Sequence, residues 1–359
     1  MRGDKAKGLS GGNGDGVLIM KSIGIFLWVA IYFLSSVQGI ASKSVAEKKT
    51  SKKVPSGQKN SNNKKKAKAK IIPAAIVLPP WDGPFKDPVC ESVAPGELLA
   101  KQLEHYEPSR QHHIIVVTLS YNNADWYQRN LASIYGQDYE SYSIMYVDDA
   151  SSDHTGELVA QYISQQKQEQ RTTLLINKIN QKALSNFYHV IMKLPADAIV
   201  VILDGDDWFL KPTVLSLINK VYDKYNVLMT YGSYQDYPTG KIGVCCELPK
   251  EVIQNNSCRA YKWVTSHLRT FKAGLFQRIK KEDLFYEGTF FERTCDLACM
   301  FPMLEMAGVR SMYIPDVLYG YNRATPLNDL KVAKEQQRFL IHYIRSKAQY
   351  SPLPPDVSL

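Results

Sequence analysis

The eleven residues AIVVILDGDDW, Ala198 to Trp208, decide how this chain is read. Six mostly β-branched apolar residues predict a buried strand. Three carboxylates, Asp204, Asp206 and Asp207, then follow within four positions around Gly205. Open α/β sheets carry their ligand crevice at the C-terminal ends of their strands, where this cluster falls. Crowded carboxylates repel one another and resist desolvation unless a cation joins them. Hard oxygen ligands suit Mg²⁺ or Mn²⁺, which can bridge to nucleotide phosphates. An acidic surface turn after a strand has the same sequence, so the neighbouring segments must decide.

Outward from this point the chain alternates strand and helix. Upstream, strands are expected at 114–119, 142–147 and 171–176, with helices after them to about 135, 168 and 194. Asn122 or Asn123 is a candidate cap for the first helix, and Asp153 or Thr155 for the second. Downstream, a helix is expected at 212–225 and a further strand at 227–231. Strict alternation implies an α/β fold with a mostly parallel sheet covered on both faces. Three polar clusters then share one sheet edge: Ser120-Tyr121-Asn122, Asp148-Asp149, and 204–207. There Thr118 and Tyr121 can hydrogen-bond or stack on a base, and Asp149 can accept from a base N–H. Past residue 235 the pattern breaks, which suggests a less regular half walling the cleft.

The stretch VVTLSYNNADWYQRNLASIYGQDYESYSIMYVDDASSDHTGELV (116–159), followed by LDGDDW (203–208), resembles the family 2 glycosyltransferases. The resemblance is good over 113–231 and continues more thinly to about 328. It implies an inverting enzyme on a Rossmann-like GT-A fold, using a nucleotide-sugar donor (a UDP-sugar by family habit) and Mn²⁺ or Mg²⁺. Carried over by motif, Asp149 is the carboxylate that reads the base. Asp204 and Asp206 are the metal pair, with Asp206 the direct ligand, and Asp207 holds the sugar or the loop. The family's general base begins a helix in the second half. In FFERTCDLACMFPMLEMAG (290–308) Asp296 matches it best, with Glu292 as the alternative on one helix face. Asn186 is the one obvious polar match in NKINQKALSNFYHV (177–190), where the family's Gly-rich turn is missing.

Other polar and aromatic candidates come from the residues themselves. Arg269 offers a planar fork that matches a diphosphate, and His267 can hydrogen-bond the same group or an acceptor. Trp208 and Trp263 can stack on sugar faces, and Tyr319, Tyr321 and Asn322 are placed to close the cleft. The Q-x-x-R-W sequence of processive synthases is absent, which favours single transfer to a glycan, lipid or protein acceptor. A nucleotidylyltransferase would carry a Gly-rich basic loop after its first strand, and Asn122-Asn123-Ala124-Asp125 has neither feature. A catalytically silent relative that binds nucleotide or glycan as an adaptor is the remaining alternative.

The whole chain bounds these readings. Its 359 residues, 45% hydrophobic and 11% aromatic, allow one large domain. The net charge of +9 is concentrated in 43–70, where eleven lysines face one glutamate. That stretch lacks aromatics, so nucleic-acid binding is not expected and a disordered basic linker is. After a polar tail (1–16), residues 17–41 hold a hydrophobic helix, either a membrane anchor or a signal peptide. The denser positive charge after it favours an uncleaved single-pass anchor with a cytoplasmic catalytic domain; a signal peptide would make the domain exported or luminal. A Lys-rich linker (42–70) and a Pro-rich spacer (71–112) then lead into a GT-A domain at 113–335. That domain divides into a nucleotide-sugar half (113–235) and an acceptor half (236–335), and 336–359 is read as a helix end and tail. The six cysteines read as buried free thiols, and Asn255-Asn256-Ser257 is a glycosylation sequon.

Overall fold

The apolar runs identified in the sequence become the centre of one eight-stranded sheet. The computed structural model describes residues 98–243, 245–325 and 334–359, all within one compact unit, 77–359. Strands β1 (Ile114–Ser120), β2 (Tyr142–Asp148), β3 (Thr172–Ile176) and β4 (Ile199–Ile202) are mutually parallel, in the order β3-β2-β1-β4. Helices α1 (Tyr127–Tyr135), α2 (Thr155–Gln165), α3 (Ala183–Ile191) and α4 (Val214–Tyr225) connect or follow them. Burial on both faces explains why β1 and β4 are nearly continuous Ile and Val. Tyr146, Leu131, Ile134, Val159 and Ile218 pack into the same core.

The sheet is mixed beyond β4. Strand β5 (Trp208–Phe209) lies at its far edge, next to β10 (Ser311–Asn322). The strand expected at 227–231 runs longer, as β6 (Met229–Tyr237), and lies parallel to β10. Between β4 and β6 sits β7 (Ser266–Lys272), antiparallel to both. Residues after 235 therefore complete the first half's sheet instead of forming a separate half. SHLRTFK does not look like a buried strand, because it carries His267 and Arg269; both are nevertheless buried. A two-stranded ribbon of β8 (Phe285–Tyr286) and β9 (Thr289–Phe290) precedes α5 (Cys295–Ala307), and α6 (Lys334–Ser346) follows β10.

Local capping differs from expectation. Helix α1 starts at Tyr127 with Trp126 as N-cap and no side-chain cap. Asn122 and Asn123 are engaged elsewhere: Asn122 Oδ1 accepts from Ser152 N at 2.8 Å, and Asn123 Nδ2 donates to Ser120 Oγ at 3.0 Å. Asp153 does act at the start of α2, accepting from Thr155 N at 3.0 Å.

Both ends of the described chain pack onto the domain. The last part of the stretch read as a spacer is docked, with Leu99 and Leu103 buried and Leu99 N donating to Asp316 at 2.8 Å. The C-terminal stretch is held too: Leu353 N donates to Met306 O at 2.8 Å and Tyr350 N to Glu305 at 3.0 Å. Cys245, Cys258 and Cys299 are buried free thiols as expected, while Cys246 and Cys295 are partly exposed. No described helix is long and apolar enough to cross a membrane. The hydrophobic segment at 17–41 and the Lys-rich linker lie outside the described residues.

Candidate active site

Parallel register brings the three polar clusters to one edge. Ser120 lies opposite Asp148, so β1 and β2 end together, while β4 ends at Ile202 opposite Val117 and its turn runs on along the end of β1. The turn after β4 is tied back to β1, with Gly205 N donating to Leu119 O at 2.8 Å. A side chain at Gly205 would place its Cβ 2.6 Å from Ser120 Cβ. Gly205 is thus the residue that lets the turn lie against β1.

A cavity of about 660 Å³ opens along this edge, lined by Tyr121, Asp149, Asp204, Asp206, His267, Arg269, Glu292 and Asp296. Its size falls within the usual range for ligand sites. Thr118, Gly205, Asn186 and Trp208 are not among its lining residues. Thr118 is fully buried, because alternation along β1 turns it away from the side that Leu119 and Tyr121 present. Trp208 packs behind the turn, stacked on Trp126 at 6.3 Å, with the Arg129 guanidinium 3.4 Å over its ring. It is a packing residue and not a sugar platform. Trp263 does line the cavity, edge-on to Phe301 at 5.5 Å.

Asp149 is held by the loop after β3. Its carboxylate accepts from Asn177 Nδ2 at 2.8 Å, Gln181 N at 2.7 Å and Lys182 N at 2.9 Å. Asn186 supports this arrangement from behind, its Oδ1 accepting from Asn177 Nδ2 at 2.8 Å. The stretch that lacks the expected Gly-rich turn is therefore organised around Asp149 by amides.

The three carboxylates of the turn divide into two roles. Asp207 is buried and clamps β10: its Oδ2 accepts from Tyr319 Oη at 2.5 Å and its Oδ1 from Asn322 N at 2.7 Å. Burial, followed by Asp206 and Asp204, pushes its carboxyl well above the usual carboxylate range. It holds the loop through these contacts and also lines the cavity. Asp204 and Asp206 lie in the same cavity wall. Burial, then the neighbouring Asp204, raises the Asp206 carboxyl to about 6. Tyr319 Oη also lies 3.5 Å from Asp204 Oδ2.

No group of three or more His, Cys, Asp or Glu side chains gathers as a metal site among the described residues. The Asp204–Asp206 pair nevertheless suits a hydrated divalent cation. Mg²⁺ is commonly held by one or two carboxylates, with substrate phosphates and water completing its shell. Mutual repulsion between this pair is the energy such a cation relieves.

Strand β7 supplies the positive charge. Arg269 is buried, with Nη1 3.8 Å from Asp296 Oδ2. Burial lowers its pKa, but Asp296 and then Asp204 more than offset this and leave it raised. Its Nη2 lies 3.3 Å from His267 Nδ1. A guanidinium only donates, so Nδ1 accepts and the imidazole proton sits on Nε2. Burial, then Arg269, pushes the His267 pKa well below its ordinary value, and the ring is neutral. It is sandwiched between Tyr319 at 4.4 Å and Tyr321 at 5.3 Å.

Asp296 sits in the first turn of α5, at the helix N-terminus. Glu292 lines the cavity from the loop before α5, so the two do not share a helix face. Sequence reading missed Asn130, whose Nδ2 donates to the carbonyls of Asp204 at 2.9 Å and Asp207 at 2.8 Å. A polar residue on the buried stripe Tyr127, Leu131, Ile134 was the signal that could have revealed it.

A mixed α/β sheet with acidic strand ends faces a second carboxylate at a helix start across one cavity. Residues 115–279 match the family model described as glycosyl transferase family 2. The chain is 26% identical over 221 residues to glycosyltransferase GlyG of Streptococcus pneumoniae, covering 58% of this chain and 70% of that protein. Among solved structures it is similar to S. aureus TarS 1-349 in complex with UDP-GlcNAc (TM-score 0.48, 13% identity, 64% of this chain). It is also similar to the mannosyltransferase PcManGT from Pyrobaculum calidifontis in complex with GDP-Man and Mn²⁺ (TM-score 0.45, 19% identity, 70% of this chain). The chain spans 65% of that TarS chain and 71% of the PcManGT chain.

Proposed function

We propose that this chain transfers a single sugar, with inversion, from a nucleotide-sugar to an acceptor hydroxyl. A UDP-sugar is the first donor to test. The observation that carries this reading is one cavity along which β2, β4 and β7 present Asp149, then Asp204 and Asp206, then Arg269, with Asp296 beside it. Asp149 meets the base. Asp206, helped by Asp204, would hold Mn²⁺ or Mg²⁺. The cation supplies electrophilic stabilisation to the departing nucleoside diphosphate when bound. Arg269 adds a fixed positive charge beside the same carboxylates, with no reorganisation needed during reaction. Asp296 takes the proton of the acceptor hydroxyl as it attacks from the face opposite the leaving group. Arg269 lies beside that carboxylate, its Nη1 3.8 Å from Asp296 Oδ2. In this reading the hydrophobic N-terminal segment tethers the enzyme to a membrane, with the domain on the cytoplasmic side.

The test is thermal stability of the full-length chain in detergent against a panel of nucleotide-sugars, with Mn²⁺ and with chelator. A donor at about 100 times its dissociation constant adds roughly 2.7 kcal/mol. Asp206→Ala is expected to abolish the metal-dependent shift. Asp296→Asn is expected to keep the shift and stop transfer. If no donor shifts stability, the silent adaptor replaces the enzyme.

A further inference from the structure

The cavity has a wall outside the segment that matches the family model. Gln337, Ile341 and Arg345 recur every four residues on α6, share one helix face, and all line the cavity. This wall is firmly built. Leu340 and Ile344 are buried beneath it. Arg345 donates to the carbonyls of Arg259 and, at 2.7 Å, Tyr261, while Arg259 Nη1 donates to Ile344 O at 2.6 Å. Away from the cavity, Phe339 and Tyr343 pack on Tyr286 at 5.8 and 5.1 Å. Trp263, partly exposed, lines the same cavity, as does the exposed Glu292.

Resting on the glycosyltransferase reading, we infer that α6 and Trp263 form the acceptor subsite, and that the acceptor group bound there is a saccharide. The side chains decide between acceptor classes. The Gln337 amide both donates and accepts, and the Glu292 carboxylate accepts, a pairing that suits vicinal hydroxyls. The Trp263 indole offers a flat apolar face for ring C–H groups, with a polar edge. A lipid chain needs an open apolar channel instead. The apolar residues Phe271, Phe276, Met300 and Met303 do line the cavity, but at 0%, 1%, 1% and 0% exposed they present little surface to an acyl chain. Arg345 is committed to backbone carbonyls, so it holds the helix while Gln337 reads the sugar.

The test uses the full-length chain with its donor and Mn²⁺. Three acceptor sets are offered: free mono- and disaccharides, polyprenyl phosphate in mixed micelles, and Ser/Thr peptides. Transfer to at least one saccharide is expected. Gln337→Ala, a half-exposed site where folding is not at stake, is expected to raise the acceptor KM at least tenfold while kcat and donor KM stay within twofold. Transfer confined to polyprenyl phosphate or peptide overturns the inference. So does an unchanged acceptor KM in Gln337→Ala, or donor hydrolysis with no saccharide accepted. A chain that neither binds nor hydrolyses any donor overturns the glycosyltransferase reading and this inference with it.

Discussion

Gly205→Ala tests whether the acidic turn is positioned by close packing on β1. The new Cβ would meet Ser120 Cβ at 2.6 Å, Ser120 Oγ at 2.7 Å and Asn123 Nδ2 at 2.9 Å. Two of these atoms belong to a short side chain rooted in a buried strand, so they cannot swing aside. Overpacking of this kind costs about 1–3 kcal/mol, and the rigidity of β1 places this case near the top, about 3 kcal/mol. The strain has a local remedy. Ser120→Gly removes both Ser120 atoms, at about 1 kcal/mol for a glycine in a strand and the lost hydrogen bond from Asn123. Ser120→Gly combined with Gly205→Ala should therefore cost less than the sum of the two single variants, with a coupling of roughly 1–2 kcal/mol. Urea unfolding of the four proteins at one pH measures the cycle, and metal-dependent donor binding should be lost and regained in parallel. Purely additive effects would refute the packing argument, as would a Gly205→Ala protein of unchanged stability and donor affinity.

Two further predictions follow from charge and burial. With chelator present, the raised Asp206 carboxyl makes the fold bind a proton that the unfolded chain has released, so stability falls as pH rises from about 4 to about 6. A shift from 3.8 to about 6 corresponds to up to about 3 kcal/mol; Asp206→Asn should remove most of the fall and Mn²⁺ should oppose it, whereas wild type and Asp206→Asn with the same pH profile in chelator would count against it. Glu305→Ala should destabilise by about 3–5 kcal/mol in chemical denaturation, because it strands the buried Arg259 that now pairs with Glu305 at 2.6 and 3.0 Å. A loss below about 1 kcal/mol would show that Arg259 finds other partners.

The sequence by itself determined the parallel core and its ligand edge. Continuous apolar runs such as 114–119 and 198–203 encode burial on both faces. The polar residues that end them had to emerge together once those strands paired in parallel. The start of α5 near Asp296 came through the family resemblance, and the helix begins one residue earlier, at Cys295. Tertiary structure alone decided which polar residue does what. Asp207 looks like its neighbours Asp204 and Asp206 in the chain. It becomes a clamp because Tyr319, 112 residues away, reaches it. Thr118 and Trp208 face away from the cavity through strand alternation and edge pairing, which only register settles. Strand β7 was hidden because His267 and Arg269 are buried by charge partners and aromatic rings contributed from β10 and α5. Local periodicity records which residues leave water; partnership between residues far apart in sequence is created only when the sheet closes.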